Sequence, residues 1–298
     1  MIPRDVSAYK PHSPVGQRAP SRTALRVAMR RAVHQTADYP LVFEDPLAHR
    51  LVAAEVDRLG LRLKAPKRDS SRTLRAFLAA RSRYAEDILS LGVQRGVTQY
   101  VLLGAGLDTF AYRNPYRSVR CFEIDHPATQ QWKLSLLASS GIAVPPSVVH
   151  LPVDFEHQSL TAELIGSVYD PLQRTLFAWL GVVPYLTRKS FLQTLDVIAA
   201  QPAGSGVILD YGVPRSARTS DEQVEFDSLA ERVAAAGEPF LLFFNPGEIA
   251  ELLRQRNFNR LEDMAVPEIN ERYFSGRADG LSILGTSAHL LSAWIDLP

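Results

Sequence analysis

One cysteine, Cys121, occurs in 298 residues, so no disulfide can form within the chain. A lone thiol opening an apolar stretch reads as a small core residue, and a reducing, cytoplasmic setting is the expectation. Long apolar runs are also missing. The longest, residues 176–186, is too short to cross a bilayer and is broken by Pro184. Neither charge is in excess: the formal net charge is +1, which points to neither nucleic acid nor an anionic membrane as partner. The first 20 residues carry proline, serine and basic side chains without an apolar h-region. They read as a flexible arm, and no secretory leader is expected. The seven histidines show no HExxH or similar spacing, so no metal site is expected.

What is present is organised around residues 100–125, YVLLGAGLDTFAYR followed by VRCFEID. Val101, Leu102 and Leu103 form the continuous apolar run of a parallel strand covered on both faces. Gly104 and Gly106 follow, where a sharp turn needs φ freedom and a ligand needs close backbone approach. Asp125 stands nineteen residues after Gly106 at the end of a second strand. That is about the spacing (~20 residues) at which an acid meets ribose hydroxyls in doubly wound sheets. Thr109 occupies the place where a dinucleotide fingerprint has its third glycine. A single nucleoside fits better than a pyrophosphate-linked pair, and S-adenosylmethionine is the candidate.

Upstream, Ser21 is a plausible N-cap for a helix burying Leu25, Ala28, Met29, Ala32 and Val33. Arg26, Arg30 and Arg31 fall off that face and read as solvated charge. A second helix carries Pro46 in its first turn. A third, over about residues 70–91, aligns Leu74, Phe77, Leu78, Tyr84, Ala85 and Ile88, with Arg81 inside the stripe and Arg83 opposite. An inward arginine needs an anion. It is either half of a buried ion pair or a bidentate clamp on a ligand carboxylate, and the pattern leaves both open. Strands at 100–103, 120–124, 148–153, 176–180 and 207–211 alternate with helical stretches at 109–112, 128–139, 160–165 and 189–200. This alternation predicts an α/β fold with a mostly parallel sheet and helices on both faces. Functional residues then cluster just past the strands. Residues 212–238 are a candidate lid, 240–244 a short strand or extended segment, and 261–266 and 289–295 the last strands. The expected organisation is a single domain over 21–298, with a helical cap at 21–95 and a Rossmann-like core at 96–298.

LLGAGLDTFAYR, CFEIDHP with Lys133, PVDF and WLGVVPYL together resemble the leucine carboxyl methyltransferase-like family, class I S-adenosylmethionine-dependent methyltransferases with a seven-stranded sheet. The resemblance covers nearly the whole chain, including FEDPLA, RSRYAEDIL and NPGEIAELL. It implies that Arg81 clamps the methionine carboxylate, that Gly104, Ala105 and Gly106 underlie the methionine and ribose, and that Asp125 takes the ribose hydroxyls. Asp154 and Phe155 would meet the adenine; Glu123, deeper on the strand of Asp125, ranks second for the ribose. Leu180 stands where many relatives have a cofactor-contacting glutamate, and Phe110 where many have arginine. Glu156 beside the adenine-site acid argues against a peptide's terminal carboxylate as acceptor.

The implied activity is O-methylation of a small-molecule carboxylate or hydroxyl, with Tyr185 as acceptor-pocket candidate and no defensible general base; His126 reads as a structural helix-start residue. A non-catalytic S-adenosyl-nucleoside binder and a nicotinamide-dependent oxidoreductase are the alternatives. Oligomeric state is not indicated.

Overall fold

The computed structural model describes residues 21–64, 69–154, 158–235 and 237–296. The expected arm at 1–20, Phe155 and Glu156 lie outside the described residues.

Three helices come first: α1 (Arg22–Ala37), α2 (Ala48–Arg58) and α3 (Asp69–Gln94). Ser21 caps α1, its hydroxyl accepting from the Ala24 amide at 3.2 Å. Pro46 lies before α2 rather than in its first turn, because the chain turns at residues 46–47 before helical bonding begins. The alternating block follows as β1 (Gln99–Leu103), β2 (Arg120–Asp125), α4 (Pro127–Ser139), β3 (Val148–Pro152), α5 (Leu160–Ile165), β4 (Thr175–Trp179), α6 (Arg188–Ala199) and β5 (Gly206–Gly212). The expected helical stretch at 109–112 is only a 3-10 turn, Phe110–Tyr112. Then come α7 (Ser220–Ala235), α8 (Pro246–Arg254), β6 (Phe258–Met264), α9 (Val266–Phe274) and β7 (Ala288–Ile295).

Residues 240–244 form no strand; Leu241 and Leu242 donate to the Pro184 carbonyl and Phe244 to that of Gly212, without a ladder. The strand expected at 261–266 runs instead over Phe258–Met264. Its last expected residue, Val266, opens α9, where Pro267 sits in the first turn.

The seven strands lie in the order β3-β2-β1-β4-β5-β7-β6. β1 to β5 pair in parallel and β7 runs antiparallel to both β5 and β6. The chain builds outward from β1 through β2 to β3, then returns to place β4 on the other side of β1. The crevice at that reversal is where α/β sheets bind ligands. Alternate residues feed two cores. Tyr100, Leu102, Leu176 and Ile208 pack with Ala76, Ala80, Tyr84 and Ile88 of α3 and Ile269 of α9. Val101, Leu103, Phe177 and Leu209 pack with Phe191 and Leu195 of α6 and Ile249 and Leu253 of α8. Full burial of such a side chain is worth about 1.5–3 kcal/mol, an upper estimate against a compact unfolded chain. A third cluster joins α1, α2 and α4 through Leu25, Ala28, Leu51, Val52 and Leu137, fixing α1 beside the carboxyl ends of the strands. Among the described residues no helix is long and apolar enough to cross a membrane.

Candidate active site

The glycine turn after β1 is pinned to β2 by amides of Gly104 and Ala105, which donate to the Ile124 carbonyl at 2.8 and 3.1 Å. Gly104 has φ +69°, and a Cβ there would stand 2.4 Å from Val182 Cγ2, so only glycine fits. Gly106 donates its amide to Asp125 Oδ2 at 2.5 Å, and His126 donates its own to Oδ1 at 2.7 Å. Burial pushes the Asp125 carboxyl up, against the pull of these two bonds and of Lys133. Its orientation is fixed by backbone, and further lone pairs stay open to hydroxyl donors.

Arg81 reaches the same edge from α3. Its Nη1 lies 3.0 Å from Asp210 Oδ2 at the end of β5, with 10% and 8% of the two side chains exposed. Asp210 Oδ1 accepts the Gly181 amide at 2.5 Å. Gly181 has φ +69°, and a Cβ on it would come within 2.7 Å of Arg81 Nη1. Arg81 therefore touches Gly181, Val182 touches Gly104, and Gly106 holds Asp125, in one unbroken row across β5, β4, β1 and β2. Arg81 and Asp125 both lie at the carboxyl edge of the sheet. The inward arginine is half of a buried ion pair, held at one point and not through a bidentate fork. Asp210, its partner, was missed in the sequence; an acid ending the apolar run VILD was the available signal.

Leu180 packs its half-buried side chain against the α3-side core. Asp154 follows β3, where its amide donates to Gln158 Oε1 at 2.8 Å and its carbonyl accepts the Gln158 amide at 2.8 Å. Glu123 is not at the rim. It is buried with Lys133 Nζ at 2.7 Å and the Tyr112 hydroxyl at 2.7 Å, and His150 stacks on Tyr112. Satisfied internally, it is withdrawn from the ribose. His126 caps α4, its Nδ1 accepting from the Ala128 amide at 3.2 Å, as its position suggested.

The expectation that Arg26, Arg30 and Arg31 are solvated holds fully for none of them: Arg26 and Arg30 are half-buried and Arg31 is buried. Arg31 is buried against Asp108 at 2.5 Å and Asp45 at 2.7 Å, with Thr109 and Arg113 in the same network. Burial would raise the Asp108 carboxyl, but Arg31, Lys133 and the Phe110 amide hold it well below the usual range. This network locks the LDT portion of the glycine turn onto α1. Arg30 is half-buried, and its Nε is enclosed with no hydrogen-bond partner.

Tyr185 stands in the 3-10 turn Val183–Tyr185 that follows β4. Its ring packs on Phe240 with centroids 5.3 Å apart, and its hydroxyl lies near Thr23. Burial, then the nearby Glu238 charge, push the phenol up to about 12. Glu238 in turn accepts from the Ser21 hydroxyl at 2.9 Å and from the Thr23 hydroxyl. Phe226 of α7 stacks with Phe240, and the Arg218 guanidinium covers Phe226 at 4.0 Å. The segment after β5 thus closes over Tyr185 and onto the start of α1. A cavity of about 510 Å³ opens at the opposite, amino end of the strands, between Thr98, Arg117, Arg120, Ser147 and Asp170, away from this edge.

With this edge in view, comparison with known proteins is decisive. The sequence profile described as leucine carboxyl methyltransferase matches residues 24–199. This chain belongs to that family. YktD of Bacillus subtilis (strain 168), assigned as an S-adenosyl-L-methionine-dependent methyltransferase, is 30% identical over 297 residues, covering 89% of this chain and 95% of YktD. A Mycobacterium tuberculosis (strain ATCC 25177 / H37Ra) protein with the same assignment is 33% identical over 201 residues, 63% of each chain. In fold, the chain resembles a duf574 family protein from Streptomyces avermitilis MA-4680 (TM-score 0.56, 16% identity, 90% of this chain and 96% of that one). It also resembles a protein from Thermobifida fusca YX assigned as a methyltransferase (TM-score 0.54, 15% identity, 94% and 96%). The protein is a class I, S-adenosylmethionine-dependent methyltransferase. The donor set fits that cofactor: a guanidinium for a carboxylate, glycines bare of Cβ where a ligand must approach the backbone, and a fixed carboxylate for two hydroxyls. Family membership decides against the non-catalytic and nicotinamide alternatives.

Proposed function

We propose that this methyltransferase transfers a methyl group to an oxygen, carboxylate or hydroxyl, of a small molecule held against Tyr185. In this reading Arg81 receives the cofactor's carboxylate, and Gly104, Ala105 and Gly106 run beneath its methionine and ribose. Asp125 takes the ribose hydroxyls, Asp154 with Phe155 borders the adenine, and Leu180 flanks the methionine as an apolar wall where many relatives carry an acid. Residues 21–298 act as one domain in which 212–238 form the lid. The row of contacts from Arg81 through Gly181, Val182, Gly104 and Gly106 to Asp125 supports this reading best, because it spans one sheet edge without a break.

When bound, S-adenosylmethionine supplies a methyl group already activated on a sulfonium. What remains for the protein is alignment and exclusion of water, worth roughly 7–11 kcal/mol in favourable cases. Tyr185, Phe240 and Phe226 form a half-buried aromatic wall beside the end of the row at Arg81 and Asp210. With its phenol pushed up to about 12, Tyr185 is neutral at pH 7 and acts as a hydrogen-bond donor to the acceptor, not as a base. A carboxylate acceptor needs no base, so it is favoured over an alcohol.

The test is isotope transfer. The protein is mixed with methyl-labelled cofactor and a small-molecule extract, and the labelled products are treated with mild alkali. Methyl esters release volatile label and ethers keep it. Label confined to nitrogen or carbon products would rule out oxygen transfer.

A further inference from the structure

The segment that covers Tyr185 is fastened unequally at its two ends. Near β5, the Val213 amide donates to the Ser287 carbonyl at 2.9 Å, and Arg218 donates to the Val213 carbonyl at 3.1 and 2.8 Å. Glu222, in the first turn of α7, accepts from both the amide and the hydroxyl of Thr286. Beyond these ties α7 is lightly packed. Val233 is its one buried residue, while Val224 is 71% and Leu229 36% exposed. A helix with so few buried apolar contacts belongs to the part of a fold that opens most readily.

At the far end a single carboxylate makes the closure. Glu238 accepts from the Ser21 hydroxyl at 2.9 Å on one oxygen and from the Thr23 hydroxyl on the other. Both donors are neutral, in contrast to the guanidiniums that hold Asp38, Asp45 and Asp210. Such bonds can hold a lightly packed helix and still break in each turnover.

The surface that receives Glu238 is the start of α1, and it touches the cofactor edge. The Ser21 amide donates to the hydroxyl of Thr129, in the first turn of α4, at 3.4 Å. A Cβ on Gly106, whose amide holds Asp125, would stand 3.4 Å from the Ala24 Cβ. Thr23 lies near the Tyr185 hydroxyl. Residues 21–24 thus meet the covering segment, the glycine turn, α4 and the Tyr185 wall.

We propose that Glu238 is a latch: by binding Ser21 and Thr23 it closes the lid over Tyr185, and its release opens the route by which acceptor and spent cofactor exchange. This rests on the Tyr185 pocket proposed above and adds the residue that gates it. Because the start of α1 backs Gly106, closure and an occupied cofactor turn support each other. Bound S-adenosylhomocysteine tightens the latch, and by linkage the latch retains the ligand.

Amide hydrogen exchange over residues 220–235, with and without saturating S-adenosylhomocysteine, reads the latch. Wild-type α7 is expected to exchange at least fivefold more slowly when the ligand is bound. Glu238→Ala should exchange there at least tenfold faster than the wild type in either form, and lose bound ligand about tenfold faster in a chase experiment. Glu238→Gln, which keeps one accepting oxygen, falls between. Thr23→Val removes the partner hydroxyl at nearly constant shape, and adding it to Glu238→Ala should change little, since both break one contact. Equal α7 exchange in wild type and Glu238→Ala overturns the latch. So does full additivity of the two substitutions, or faster exchange spread evenly through the sheet. A wild-type protein that fails to bind S-adenosylhomocysteine defeats the cofactor reading instead, and the ligand-free comparison still decides Glu238. The Tyr185 pocket fails on a separate measurement, unchanged acceptor KM and kcat in Tyr185→Phe.

Discussion

Asp210→Asn is the sharpest perturbation of this site. The amide keeps the shape of the side chain and an oxygen for the Gly181 amide, now accepted at 2.5 Å. What it removes is the charge 3.0 Å from Arg81, in a pair whose side chains are 10% and 8% exposed. Breaking a buried pair from one side costs about 3–5 kcal/mol, because the surviving charge is left uncompensated. Unfolding entropy is roughly 2.1 cal/mol/K per residue, or ~0.6 kcal/mol/K for a chain of this length, so Tm should fall by about 5–8 °C. The cofactor then tells the two roles of Arg81 apart. A ligand carboxylate delivered to Arg81 restores the missing negative charge. S-adenosylhomocysteine should therefore raise Tm more in the variant than in the wild type. Methylthioadenosine, which lacks the amino-acid end, should protect both equally. Scanning calorimetry with each ligand at matched saturation makes the comparison. Equal protection of the variant by the two ligands would refute a carboxylate contact at Arg81, and an unchanged Tm without ligand would refute the buried pair itself.

Asp125→Ala removes charge-assisted hydrogen bonds of roughly 1.5–3 kcal/mol, so calorimetric titration should show S-adenosylhomocysteine binding weakened by one to two orders of magnitude; an unaltered Kd sinks that assignment. Tyr185→Phe should reduce turnover modestly and leave the pH–rate profile below pH 9 unshifted, whereas a loss of about 10²–10⁴-fold would mean the phenol is a base after all. Asp38 is subject to burial, which alone would raise its carboxyl, but two bonds from Arg75 and one from His34 hold it well below the usual range. A depressed carboxylate contributes stability above its unfolded value of about 3.9 and loses it as pH falls through the folded value. Urea midpoints of wild type and Asp38→Asn should accordingly differ most near pH 7, begin to approach each other only below about pH 4 and meet as pH falls through the folded value; a difference that stays constant down to the acid limit would contradict this.

The edge of the sheet was legible because its requirements are local. Buried parallel strands need unbroken apolar runs such as Val101 to Leu103, and the turn after β1 needs a residue tolerating φ +69° at Gly104. The place of Asp125, at the end of β2 and against the glycine turn, was legible from spacing alone. The charges that brace the edge were not, since their partners are distant in sequence. Arg31 meets Asp108 across 77 residues, and Arg81 meets Asp210 across 129. No periodicity connects such pairs, and an arginine off the apolar stripe of α1 looks solvated until Asp45 and the glycine turn cover it. Glu123 was ranked second to Asp125 because strand alternation places it on the same face but deeper, and the structure ties it there to Lys133 of α4. The misread strand at 261–266 shows the same limit at short range. Val266 continues the apolar pattern of β6, while its backbone already belongs to α9.

The two readings of Arg81 that the sequence left open are compatible, and under the proposed function their coexistence would have a physical consequence. A guanidinium offers five N–H donors, and Asp210 engages it at a single nitrogen. Holding so long a side chain in one rotamer costs up to about 2 kcal/mol of conformational entropy, a cost charged to ligand binding if the side chain is free beforehand. Asp210 charges it to folding instead, and the same carboxylate fixes the Gly181 amide that lets the guanidinium approach the backbone. In the proposed reading Asp210 would also place a negative charge near the incoming carboxylate, tempering affinity. An enzyme that must release S-adenosylhomocysteine after each turnover gains from a clamp that is prepared in advance and already partly neutralised.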